Sequence, residues 1–244
     1  MTDPQTAAEA AAQYLALVEE STRHLLNTVA ELKPEAVAEP SALPGWTRGH
    51  VLAHLARNAD SLVNLLDGAR TGTDIPQYAS TEARDRQIEE GAPRPVDVQL
   101  ADLRDSRERF AAAAALLPAE AWTVEVRHRT GYVFPAHDLP WKRLAEVEYH
   151  HVDLDAGHTP AHWPELFAVT EFHKIANKLR GTALPGVELV AEDTGDIGLI
   201  GTGEPVLTVR GPLRSLLAWL SGRSAGAGLR TTPDTALPQL PPLG

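Results

Sequence analysis

The 244-residue chain has no cysteine. This excludes disulfides, thiolate ligands for zinc and any thiol nucleophile carried by the protein itself. A metal ion would have to be held by His, Asp or Glu. Positive charge is also scarce: 22 Lys and Arg stand against 33 Asp and Glu, a formal net charge of −11. With no Lys/Arg run, the chain lacks an electrostatic footprint for nucleic acid. The same deficit argues against an anionic membrane surface. No stretch reaches the roughly 18 apolar residues that a membrane span needs. The opening "MTDPQTAAEAAAQYL" is acidic and has no apolar signal core. These absences predict a cytoplasmic protein with neither nucleic acid nor membrane as partner; the expected partner is a small-molecule substrate and the expected form a monomer.

What is present is a hydrophobic fraction of 43%, enough for a packed core. Helical spacing of Tyr14, Leu15, Val18, Leu25, Val29 and Leu32 predicts a helix over about 6–32. Thr47 is a cap for a second helix, "GWTRGHVLAHLARNADSLVNLL", which Gly68 and Gly72 end. "STEARDRQIEEGA" reads as a short helix opened by Ser80 or Thr81 and closed by Gly91. A long helix follows over 96–117. "WTVEVRHRTGYVFPAHDL" reads as a hairpin turning at Thr130-Gly131, with Val124 and Val126 alternating with polar residues. Pro140 suits the first turn of the next helix, which runs to about Asp155.

The character changes after Pro164. A helix, "ELFAVTEFHKIANKLRG", precedes three extended runs, "GVELVAED", "DIGLIGTG" and "PVLTVRGP". A short helix opened by Pro212 and stopped at Gly222 comes next, and the Pro-rich tail from Thr231 reads as loose. The expected class is therefore α+β. A helical bundle occupies residues 1–160 and a small mixed α/β domain occupies 161–244.

Chemistry concentrates on two helices. On a wheel, Val51, Leu52, Leu55, Ala59, Leu62, Val63 and Leu66 share one face of the second helix. His50, His54, Arg57 and Ser61 lie opposite, with Asn58 at the edge. Alone, the two histidines read as a solvated face. In "WKRLAEVEYHHVDLDAG", however, Arg143, Glu146, His150 and Asp153 form one stripe. Glu146 and His150 are four apart and can reach one ion; two histidines and a carboxylate are a catalytic zinc ligand set with a fourth position open. The spacing leaves alternatives: an intrahelical Glu–His pair with Arg143 and Asp153 as exposed surface charges, His50 in place of His54, or His151 in place of His150.

Together, "GWTRGHVLAHLARNADSLVNLL" and "EVEYHHVDL" resemble the mycothiol-dependent maleylpyruvate isomerases of the DinB-like superfamily. "STEARDRQIEEGA" and "AWLSGRSAG" extend the likeness into both domains. The resemblance implies a DinB-like four-helix bundle as the first domain, with zinc held by His54, Glu146 and His150. It implies mycothiol as thiol cofactor and a role in activity for Arg223; Arg84 fits the family's short-helix pattern. "GRS" departs from it where a second Gly can follow the Arg, which bears on the loop carrying Arg223.

The implied reaction suits a chain without cysteine, because the thiolate comes from outside. Zinc with an open position binds and deprotonates a thiol. Addition of the thiolate to the cis double bond of maleylpyruvate gives an enolate with a rotatable single bond, and re-elimination gives fumarylpyruvate, in gentisate-type aromatic catabolism. Arg223 and Arg84 are the candidate cations for the dianionic substrate and the enolate. Asp153 is a candidate acceptor for a ligand histidine, and Asn58 and Trp46 are candidates to line the cofactor site, although Trp46 also reads as core packing or a helix staple. Two other readings share the metal site: a mycothiol S-transferase acting on another electrophile, and a non-catalytic zinc-stabilised binding bundle.

Overall fold

A computed structural model describes residues 2–241. The chain divides into two compact units, with the break between His158 and Thr159.

In the first unit, α1 (Pro4–Ala30) begins where the Asp3 carboxylate accepts the Thr6 N–H. Pro4 sits at the first helical position, where a missing N–H leaves no bond unmade. In α2 (Arg48–Thr71) the Thr47 hydroxyl accepts the His50 N–H, and His50 Nδ1 accepts the Thr47 N–H at 3.1 Å. This is a capping box with His in the place usually held by Glu or Gln. Gly72, at φ 70°, ends the helix in the left-handed region. Ser80 caps α3 (Thr81–Gly91); α4 (Val96–Ala115) and α5 (Leu139–Asp153) complete the helices. Between α4 and α5, β1 (Glu125–Arg127) and β2 (Val133–Pro135) pair antiparallel. Val126 is buried there, whereas Val124 lies just before the strand and is exposed.

Helices α1, α2, α4 and α5 form the bundle. Its core joins Leu25 and Val29 of α1, Val51, Leu52 and Leu55 of α2, Leu103 of α4 and Val147 of α5. Each fully buried aliphatic side chain of this kind contributes about 1.5–3 kcal/mol. The polar face expected on α2 is not solvated: Arg84 of α3 reaches His54, Arg143 of α5 meets Asn58, and Gln77 of the α2–α3 loop meets Ser61. His54, Asn58 and Ser61 are all buried, while Val63, placed on the apolar face by the wheel, is only half-buried. The close approach of α3 depends on glycine. A Cβ at Gly91 would lie 2.7 Å from the Ala53 Cβ, and one at Gly49 would strike the Ala92 carbonyl.

The second unit contains α6 (Glu165–Leu179), β3 (Arg180–Ala191), β4 (Ile197–Gly211), α7 (Leu213–Leu220) and β5 (Arg230–Thr232). The second and third extended runs form one strand, β4, that folds back on itself. Val187 of β3 pairs with both Ile200 and Leu207. Partner numbers fall along the first arm, from Ile200 to Ile197, and rise along the second, from Leu207 to Gly211. β3 thus lies between an antiparallel and a parallel neighbour. The tail is less loose than its composition suggested, since Arg230–Thr232 pairs antiparallel with Thr208–Arg210. Its last three residues lie outside the described ones. Phe172 and Ile175 of α6, and Leu213, Leu216 and Leu217 beside them, close an apolar core.

Candidate metal centre

Helix α2 delivers His54 and α5 delivers Glu146 and His150 one turn apart. His54 Nε2 lies 2.9 Å from Glu146 Oε2 and 3.1 Å from His150 Nε2; the third side, His150 Nε2 to Glu146 Oε2, is 3.3 Å. Around a tetrahedral zinc with bonds of about 2.0–2.1 Å, donor atoms stand roughly 3.3 Å apart. The three atoms therefore already occupy nearly one face of such a tetrahedron. Among the described residues this is the one His/Cys/Asp/Glu cluster with metal-ligand spacing. His54 is 5% exposed, whereas the Glu146 side chain keeps 34% of its surface, so one side of the cluster stays accessible.

The surroundings fix the ring orientations. His150 Nδ1 is 2.9 Å from Oδ2 of Asp153, a buried carboxylate rather than an exposed helix acid. An acceptor there keeps the proton on Nδ1 and presents the Nε2 lone pair to the cluster. Burial alone would lower the His150 pKa, but hydrogen bonds with Asp153 and Glu146 raise it overall. Burial dominates at His54, which is lowered. Burial would raise Glu146, but hydrogen bonds from His150 and His54 hold it well below the usual carboxylate range. In the metal-free triad the surroundings thus favour the charged form of His150 and the neutral form of His54.

Arg84 of α3 reaches the other edge of His54: Nη2 is 3.4 Å from Nδ1, and Nη1 donates to Asp85 Oδ1 at 2.7 Å. An imidazole that ligates through Nε2 carries its proton on Nδ1, and a guanidinium has only donors. The Arg84 hydrogen bond and ligation through Nε2 therefore exclude each other; beside a loaded His54, Arg84 acts through its charge. Trp46 packs on the core and holds its ring 5.6 Å from that of His54.

A family model for the mycothiol maleylpyruvate isomerase N-terminal domain matches residues 18–155. The chain belongs to the mycothiol maleylpyruvate isomerase family. Two solved structures are similar over 95% of this chain and 96% of theirs, each with a TM-score of 0.88. One is described as the mycothiol-dependent maleylpyruvate isomerase, at 30% identity, and the other as a histidine-to-alanine mutant of it, at 29%. No curated protein matches the chain.

The part that matches the mycothiol maleylpyruvate isomerase family model includes α2, α3 and α5, and so His54, Arg84, Glu146 and His150. The alternative ligands are engaged elsewhere. His50 Nδ1 closes the capping box and its Nε2 is 3.3 Å from Glu89. His151 lies 2.8 Å from Thr28 Oγ1 and stacks on His158. Asn58 is buried one turn from His54, where its Oδ1 accepts a 2.8 Å hydrogen bond from Arg143 Nη1, which also donates to the Leu55 carbonyl. Burial pushes Arg143 down to about 10, so it remains charged at neutral pH. Its place on the polar stripe suggested a surface charge; it instead joins α5 to α2 beneath the triad.

Arg223 lies in the second unit. Gly222, at φ 76°, ends α7 with the Gly222 N–H on the Trp219 carbonyl and the Arg223 N–H on the Ala218 carbonyl at 2.7 Å. That is a Schellman motif, and Arg223 Nη1 also donates to the Ser221 carbonyl. The sequence reading passed over the anchoring role of Arg143 and over Gln77, whose buried side chain ties the α2–α3 loop to the hairpin. The Thr47-x-x-His50 spacing was a signal for the capping role of His50.

Proposed function

We propose that the chain is a zinc- and mycothiol-dependent isomerase that converts maleylpyruvate to fumarylpyruvate. The observation that carries this reading is the convergence of His54 Nε2, Glu146 Oε2 and His150 Nε2, at tetrahedral-edge spacing with one side open, in a chain of the mycothiol maleylpyruvate isomerase family. These three side chains would hold the ion. When bound, zinc supplies Lewis acidity that turns a thiol into a thiolate at neutral pH. Mycothiol supplies the reversible addition that makes the cis double bond rotatable, and is itself regenerated.

The chain's own residues do the rest. Asp153 accepts the His150 Nδ1–H and keeps Nε2 free to ligate. Arg143 and Asn58 hold α2 and α5 in register, so that His54 meets the two α5 ligands. Arg84 supplies positive charge for the negative charge that develops on the conjugated ketone. Arg223, by the family motif, supplies a second cation. Asn58 is assigned to support rather than to cofactor contact, because its Oδ1 is engaged by Arg143. No helix is long and apolar enough to cross a membrane among the described residues; a cytoplasmic monomer is the form we propose.

The test is incubation of purified, zinc-loaded protein with maleylpyruvate, with and without mycothiol. Fumarylpyruvate should form only with the thiol, and chelation should stop it. No thiol-dependent product would sink the reading, and stoichiometric loss of free thiol would point to an S-transferase.

A further inference from the structure

A pocket of about 310 Å³ opens between the α2–α3 loop and the hairpin tip. That is the low end of small-molecule pockets, which run about 300–1,000 Å³. Tyr78 stands on one side and Arg127, His128 and Arg129 follow one another along the other. The wall is built rather than incidental. Gln77, 6% exposed, accepts the Arg129 backbone N–H with Oε1 at 3.0 Å, and its Nε2 donates to Ser61 of α2 at 3.2 Å. The hairpin tip is thereby tied to the helix that carries His54.

The pocket is cationic. Arg129 has no side-chain hydrogen bond or ion pair among the described residues; Arg127 donates through Nη1 to the Gly131 carbonyl at 3.2 Å and meets a carboxylate only loosely, Asp74 at 3.9 Å. Burial, and then the charges of Lys142 and Arg129, hold His128 below its usual pKa. The pocket is also close to the chemistry. The Arg84 guanidinium lies 5.9 Å over the Tyr78 ring while reaching His54 with its other edge. Two guanidiniums against the single carboxylate of Asp74 leave the pocket net positive, and in a chain with net charge −11 such a pocket selects anions.

We propose that this pocket is the carboxylate subsite for the substrate: Arg127 and Arg129 bind the carboxylate remote from the reacting double bond, and Tyr78 forms the wall between it and the metal centre. The proposal rests on the isomerase reading and deepens it. Two guanidiniums give charge-assisted, bidentate-capable contacts to a carboxylate. They discriminate for diacids over neutral electrophiles, which the triad alone cannot do.

The test uses the zinc-loaded full chain and the double variant Arg127→Gln/Arg129→Gln, both positions being exposed. Maleate, an inert cis-dicarboxylate, is titrated calorimetrically into each, with dimethyl maleate as the neutral control. The wild type should bind maleate and not the diester, and the variant should lose at least about tenfold in affinity, one guanidinium–carboxylate contact being worth about 1.5–3 kcal/mol. In turnover, KM for maleylpyruvate should rise by a similar factor, with the KM for mycothiol, the zinc content and the melting temperature unchanged. Equal maleate affinity in both proteins, or no maleate binding by the wild type, overturns the subsite. A rise confined to the KM for mycothiol also overturns it, by assigning the pocket to the thiol. If the wild type binds maleate through these arginines but does not isomerise maleylpyruvate, the isomerase reading fails and the anion pocket stands.

Discussion

The two units are packed on different terms. All buried polar and charged side chains among the described residues belong to the first unit: His54, Asn58, Gln77, Arg143, His151 and Asp153 are among them. The second unit buries hydrophobic side chains alone, from Trp163 and Phe167 to Leu217. A buried polar group costs free energy unless it is hydrogen-bonded, so the first unit carries a network whose members must all be present together. The second needs only volume and shape. The candidate site lies where packing is chemically specific.

The sharpest break in this comparison is at the ligands. His54→Ala should lower turnover about a thousandfold or more, the several kcal/mol that metal catalysis supplies. Zinc content measured after desalting should fall with it; full activity with zinc absent would remove the triad from the mechanism. Next comes the network beneath. Arg143→Ala leaves Asn58 Oδ1 and the Leu55 carbonyl without their donor and opens a cavity, and should cost about 3–5 kcal/mol in chemical denaturation, together with weakened zinc binding. In the apolar unit, Leu217→Ala should cost about 2–4 kcal/mol and leave zinc affinity untouched. Equal zinc loss in both variants would erase the distinction between the units. A subtler probe is Asp153→Asn, which should weaken zinc binding about 10–100-fold with the fold kept, read by competition with a chromophoric chelator.

The smallest effect is in pH. In the metal-free protein the raised His150 pKa adds stability that is present below about 6.5 and is lost as pH climbs through its folded value. The lowered His54 works in the opposite sense, so stability falls as pH drops below about 6.5, where the unfolded chain takes up a proton that the buried ring refuses. The chelated protein should therefore melt highest near pH 6.5 and lower on both sides. The zinc-loaded protein should gain on it steadily as pH rises, since ligation needs neutral imidazoles. A flat melting profile in chelator would contradict the opposed shifts of the two imidazoles.

How legible this was from sequence depended on distance along the chain. Glu146 and His150 share a helix, so their meeting follows from a spacing of four. The caps at Thr47 and Ser80, the hairpin turn and the Gly222 stop are also local chemistry and stand where the residues put them. Periodicity said nothing about what covers the far side of α2, so that helix alone left His54 on a solvated face, and only the Glu146/His150 stripe and the family motif made it a ligand candidate; that Arg143 of α5 covers Asn58 and Gln77 covers Ser61 was not legible. Nor could it join Asn58 to Arg143, or Gln77 to the hairpin tip, because those bonds close loops of 85 and 52 residues. The polarity of Arg143 misled for a physical reason: a guanidinium enters a core only where tertiary structure supplies acceptors, and these lie on another helix.

The contact between α2 and α3 has a consequence for how the site can drift. Gly49 and Gly91 touch no reacting atom and carry no charge, yet the absence of their side chains sets how near α3 may come. Arg84 rides on α3, and its stand-off from His54 sets the positive potential on that ring. A single added methyl at Gly91, invisible to any inventory of polar contacts, would retune the His54 ring by displacing a cation that it never touches. Two hydrogen atoms thus act as the spacer of an electrostatic instrument.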